Sequence, residues 1–267
     1  MKYNSKSFSD KKLLSLSSKK LDQRGNAPWF EFSSEIYSHG KTFREKYKFP
    51  KILPIPISSD HGINVYPYPD NYELNSKGPF FTWNKRKYDF LKNIGRETYY
   101  VEHPWISYRK KLKKSNVVKK GTIVFFPKTI KSLHIDKKFI NNYLKSLNKL
   151  PNKCKPISIC LYFNDINQSL HKELRKFKYP LVTAGNTSST LFVDRFYELL
   201  NNFQYATSPL GGRPGSYFYL CIEAGIPFFF YGKNLKYYSD GKYKWKKGKI
   251  SLYKIYGSKN LTQTDLK

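Results

Sequence analysis

The stretch LVTAGNTSSTLFVDRFYELLNNFQYATSPLGGRPGSYFYLCIEAGIPFFFYG, residues 181–232, decides the fold. Residues 181–183, 204–207 and 227–231 are short, nearly continuous apolar runs, and 190–203 and 216–223 between them have helical composition. Working back along the chain, the same alternation gives a strand over 122–126, a helix over 136–147, a strand over 157–163 and a helix over 168–177. Strands that are apolar throughout are buried on both faces. Their separation by helices implies parallel pairing through right-handed crossovers. The expected fold class is therefore α/β, with a doubly wound parallel sheet over residues 119–232. Ligand-binding residues belong in the loops after 126, 163, 183, 207 and 231, at the carboxyl ends of the strands.

Two of those loops carry chemistry. After 183 the chain reads Ala184-Gly185-Asn186-Thr187-Ser188-Ser189, where glycine allows close backbone approach and a helix start offers amide donors to a phosphate. The same serines could simply cap the helix at 190. After 207 it reads Ser208-Pro209-Leu210-Gly211-Gly212-Arg213-Pro214-Gly215-Ser216. Three glycines in five residues carry an entropic cost beyond what a turn requires, and Arg213 offers a charged contact. Gly185, Asn186, Ser188, Ser208, Gly211, Gly212, Arg213, Gly215 and Ser216 are the expected phosphate-binding set. A surface loop is the alternative. Lys128, after the first strand of the sheet, would face the same crevice.

The run from Ala206 to Gly232, with 181–200 before it, resembles the carboxyl-terminal domain of GT-B glycosyltransferases of bacterial surface-polysaccharide pathways. The resemblance implies two Rossmann-like domains, with a glycine-rich loop, a short helix and a G-x-P strand entry (Gly225-Ile226-Pro227) framing the donor nucleotide. Many retaining members carry two glutamates eight residues apart; here Gly212 and Leu220 stand there, and Glu223 is out of register. That departure moves the resemblance toward Ser/Thr-based relatives: sialyltransferases, Kdo transferases and teichoic-acid glycerophosphotransferases. Those relatives often place an acid or a histidine before glycine in the first domain, together with a His-Pro pair. This chain has Asp60-His61-Gly62 and His103-Pro104. His61 beside Asp60 suits a general base by residue type. His103, Arg109 and Lys128 are candidate contacts to a phosphate or an acidic acceptor.

The expected organisation is a basic arm over 1–25, mobile or irregularly helical, then a reduced acceptor-side domain over 26–118. The nucleotide-binding domain follows over 119–232, and a basic aromatic tail over 233–267. In the first half, KILPIPIS (51–58) reads as a proline-broken strand and 65–78 as loop. Residues 79–83 and 99–101 read as strands, with a basic helix over 85–95. His134 is placed on a solvated loop.

Forty-nine Lys plus Arg against 19 Asp plus Glu leave a formal charge of +30, which draws the chain toward polyanions. An AT-rich genome would enrich lysine in the same way. An anionic membrane surface, phosphorylated substrates and nucleic acid remain alternatives. No apolar run reaches the roughly 18 residues of a membrane span, and no secretion signal is recognisable at the start, so a cytoplasmic protein, peripheral on the inner membrane face, is expected. Cys154, Cys160 and Cys221 lack the spacing of a zinc site, and no histidine pair has helical ligand spacing. No metal or cofactor is expected beyond a nucleotide-sugar co-substrate.

The expected function is transfer of a sugar from a nucleotide-activated donor to a glycan or lipid-linked acceptor in lipopolysaccharide or capsule synthesis. A CDP-activated polyol-phosphate transferase is the alternative on the same scaffold. A non-enzymatic nucleic-acid binder, using the Lys/Tyr/Trp-rich residues 233–256, is a third.

Overall fold

A computed structural model describes residues 7–18, 35–51, 53–63, 67–112, 117–126, 133–210, 215–234, 237–239 and 248–250. The protein is α/β, with two parallel sheets.

The larger sheet has five parallel strands: β4 (Thr122–Phe125), β6 (Ile157–Cys160), β7 (Leu181–Val182), β8 (Tyr205–Pro209) and β9 (Phe228–Tyr231). Their spatial order is β7-β6-β4-β8-β9. Counted within the sheet this is 3-2-1-4-5, the Rossmann-like order, in which the chain reverses direction of winding between β4 and β8. Thr122 pairs with Ile157 on one side and Tyr205 on the other, so β4 is central and wholly buried.

Alternation along β4 assigns the two faces. Val124 and Phe126 point into one apolar cluster with Ile140, Leu144, Ile159, Ile166 and Leu174. Ile123 and Phe125 point into the other, with Val193, Phe196, Leu200 and Leu220. The first face is covered by α6 (Lys137–Leu147), α7 (Phe163–Asn167) and α8 (Leu170–Leu174). The second is covered by α9 (Phe192–Leu200) and α10 (Ser216–Glu223).

The smaller sheet aligns β1 (Ser58–Ser59), β2 (Phe80–Thr82) and β3 (Thr98–Tyr100) in sequence order, all parallel. The apolar text before residue 58 is not the strand itself, because the prolines at 54 and 56 cannot donate to a ladder; pairing begins at Ser58. The stretch expected as loop contains α3 (Asn71–Asn75), started by a reciprocal capping box between Asp70 and Glu73. The basic helix is α4 (Lys85–Asn93), capped by the Asn84 side chain. Beyond β3 comes α5 (Pro104–Arg109), with proline in its first turn.

Two expectations are refined, and one helix was not foreseen. Within the arm expected as mobile or irregularly helical, residues 10–17 form a regular, docked helix. Ser9 caps α1 (Asp10–Ser17), and Leu13 is fully buried in the first cluster of the large sheet. Phe8 N–H donates to Leu181 O at 2.9 Å, Leu181 N–H donates to Ser7 Oγ at 3.1 Å, and Arg175 grips Asp10 at 2.9 Å. His134 lies in a strand, β5 (Leu133–Ile135), rather than a loop. It joins β10 (Tyr237–Ser239) and β11 (Gly248–Ile250) of the tail in an antiparallel sheet. A helix not anticipated from the sequence, α2 (His39–Tyr47), follows a single turn over Ile36–Ser38.

Candidate functional site

In both sheets the polar loops of interest leave the carboxyl ends of parallel strands. The turn Asp60-His61-Gly62-Ile63 follows β1, Trp83 follows β2, and His103 closely follows β3. In the large sheet the reversal point lies outside the ends of β4 and β8, where α10 begins. The Tyr217 ring stacks on Phe125 of β4, with centroids 4.7 Å apart and planes 14° from parallel. Ser208, buried near the end of β8, lies against the same tyrosine. Gly215 at the start of α10 supplies no side-chain cap, a helix start suited to an anion.

The two halves touch at this place. Gly62, at φ +77°, brings the turn so close that Ile63 N–H donates to Ser216 Oγ at 2.9 Å. The turn is held from every side. Trp83 Nε1–H donates to Gly62 O at 2.8 Å. Asp60, fully buried, accepts from Lys87 Nζ at 2.5 Å, Thr82 Oγ1 at 2.5 Å and Trp83 N–H at 3.2 Å. Glu73 accepts from the same ammonium at 2.7 Å. Burial alone would depress the Lys87 pKa, yet the two carboxylates outweigh it and hold the amine charged; burial pushes the Glu73 carboxyl up. Asp60 is thus committed to this internal ion cluster, with Lys87, Thr82 and Trp83 on its carboxylate.

His61 is exposed and meets Tyr37: the Tyr37 oxygen lies 3.3 Å from His61 Nε2, with ring centroids 5.1 Å apart. Tyr37 and Ser38 both have left-handed backbones, at φ 58° and 59°. For non-glycine residues each costs on the order of 1–3 kcal/mol and persists only where surroundings over-determine it. They do so here. Tyr37 N–H donates to Thr187 O at 2.6 Å, Trp105 Nε1–H donates to Tyr37 O at 2.7 Å, and Ser38 Oγ donates to Ser189 O at 2.8 Å.

Behind Tyr37 lies a buried aromatic group. His39 and His103 approach edge to face at 5.6 Å, and both contact Trp83, at 5.2 and 4.6 Å. His103 Nδ1 accepts from Trp105 N–H, capping α5. Burial drives the His103 pKa down to about 3, with Glu102 opposing. Burial also drives His39 well below its ordinary value, assisted by His103 and His61. His103 is thus held neutral by burial and caps α5.

Other expected contacts are also reassigned. Arg109 forms a bidentate pair with Glu223, Nε to Oε2 at 2.6 Å and Nη2 to Oε1, which ties α5 to α10. Gly185, Asn186 and Ser188 form a socket for α1. Asn186 N–H donates to Leu16 O at 3.0 Å and its side-chain amide donates to Ser17 O. Ser188 N–H donates to Asn186 Oδ1, and Gly185 N–H donates to Thr183 Oγ1. A Cβ on Gly185 would meet Leu16 O at 3.0 Å, so its close approach is to protein rather than ligand. Ser189 Oγ accepts from Leu191 N–H, as a helix-starting serine does. The amides of Gly185, Asn186, Ser188 and Ser189 each have an acceptor within the protein.

Of the expected set, His61, Ser208, Gly215 and Ser216 are brought to one place, while Gly211, Gly212, Arg213 and Lys128 lie outside the described residues. Among the described residues no group of three or more His, Cys, Asp or Glu could hold a metal ion, and no helix is long and apolar enough to cross a membrane. The three cysteines are buried and unbridged.

No family model, no curated protein and no solved structure matches the chain.

Proposed function

We propose that the protein is a nucleotide-sugar-dependent glycosyltransferase of surface-polysaccharide synthesis, its two parallel sheets serving as the halves of a GT-B-like enzyme. The carrying observation is the contact between Ile63 and Ser216. It joins an exposed histidine turn to a side-chain-uncapped helix start at the reversal point of a 3-2-1-4-5 sheet. On this reading the donor's phosphates lie at the start of α10, met by Ser216 and the backbone at Gly215. His61 takes the proton of the acceptor hydroxyl of a glycan or lipid-linked acceptor. As the bond to the leaving phosphate breaks, the growing negative charge falls on the α10 amides and hydroxyls.

Calorimetry with CMP, UDP, GDP and CDP tests the reading directly, and binding of none of them sinks it. Ser216→Ala is expected to weaken the nucleotide that binds. His61→Ala is expected to abolish turnover while leaving that affinity in place. Donor hydrolysis assayed with CDP-glycerol against nucleotide sugars separates sugar transfer from polyol-phosphate transfer on the same scaffold.

A further inference from the structure

We propose that Tyr37 is the positioning residue for His61: its hydroxyl oxygen accepts from the imidazole Nε2–H, orienting the ring and leaving Nδ1 unprotonated to receive the acceptor's proton. This rests on His61 being the base of the transfer. The step then balances: the acceptor O–H proton moves to Nδ1, the oxygen bonds to the sugar's anomeric carbon, and the bond to the nucleotide phosphate breaks with its electron pair. The imidazolium that forms still donates through Nε2 to Tyr37, and a charge-assisted bond is stronger than a neutral one.

Three observations carry the assignment. Nε2 of the exposed His61 faces Tyr37 at 3.3 Å. The carboxylate next in sequence, Asp60, is turned into the Lys87 cluster. Tyr37 itself is held in a strained conformation by Thr187 of the large-sheet half and by Trp105. Such strain, fixed from two sides and ending at one accessible imidazole, is the form a preorganised site takes. Among the described residues Tyr37 from the Ile36–Ser38 turn lies against His61 and His39 from α2 acts on it electrostatically; His103 stands behind His39. Burial keeps both of those histidines and the phenol uncharged through neutral pH.

The test is an NMR titration of the full chain carrying 15N-labelled histidine, with His61 assigned by its loss in His61→Gln. Tyr37→Phe is expected to lower the His61 pKa by about half a unit to one unit, the worth of one hydrogen bond to the imidazolium. The acid limb of kcat/KM should move down with it, and kcat should fall about tenfold at unchanged KM as ring orientation is lost. Should the phenylalanine variant melt early, 3-fluorotyrosine placed at position 37 keeps the shape and weakens the acceptor; it should shift His61 the same way by less. An unmoved His61 titration overturns the proposal, and so does a moved titration with unaltered turnover. The titration needs no substrate, so it is read separately from nucleotide binding, whose absence would sink the glycosyltransferase reading instead.

Discussion

Gly62 and Ser216 meet so closely that a Cβ on Gly62 would stand 2.6 Å from the Ser216 hydroxyl oxygen. A side chain at position 62 would have to displace the Ser216 hydroxyl at the seam between the two parallel-sheet halves, and Gly62 also sits at φ +77°. Gly62→Ala meets both obstacles. It should destabilise the fold by about 2 kcal/mol or more, the left-handed cost plus the clash. Adding Ser216→Gly should recover the steric part alone. Urea unfolding of the two single variants and the double variant measures the coupling; strict additivity would mean that the halves separate readily.

Lys87 stands between Asp60 and Glu73 with no exposed side-chain surface. Lys87→Met leaves two carboxylates in the interior without their cation, and a loss on the order of 3–5 kcal/mol is expected. Asp60→Asn should likewise act on unfolding, with the His61 titration left in place. An Asp60→Asn variant of normal stability and collapsed turnover would return Asp60 to the base.

Arg109 and Glu223 bridge α5 and α10 at a partly exposed position, with 35% and 20% of their side chains accessible. Solvent screening limits the pair, and a double-mutant cycle should give about 1 kcal/mol or less, falling with added salt. Nucleotide affinity should be unaffected by Arg109→Ala. A tenfold loss of affinity would make Arg109 the phosphate contact expected from the sequence.

His39 and His103 give the fold an acid limit. Both have folded pKa values below the ordinary 6.5, His103 at about 3, so the unfolded chain binds more protons once pH falls below about 6.5. Their stabilising contribution is complete above that value and is lost on descent toward 3, each histidine adding up to about 1.4 kcal/mol per pH unit. Urea midpoints at pH 7.5 and 5 should differ accordingly, and His103→Gln should reduce the slope. A flat profile between those pH values would show both rings to be solvated.

The large sheet was legible because its signal is local. Apolar runs at 122–126, 157–163, 181–183, 204–207 and 227–231 each contain or overlap an observed strand, and α10 begins and ends where read. What escaped depends on distant partners. Nothing around Tyr37 announces a left-handed turn between His61 and Thr187, residues 24 and 150 positions away. Lys87 is one of many lysines, and only the fold reveals that its neighbours are Asp60 and Glu73. Adjacency of Asp60 and His61 does not reveal that Asp60 is bonded to Lys87 and Thr82. Composition does not reveal that the 185–189 loop meets carbonyls of α1.

That docking also sets an order of events during synthesis. Helix α1 is made well before β7 and the 185–189 loop that receive it. Contacts spanning some 170 residues are slow to close and leave apolar surface uncovered meanwhile. The contacts that seat α1 are therefore expected to be among the last to close as the chain folds.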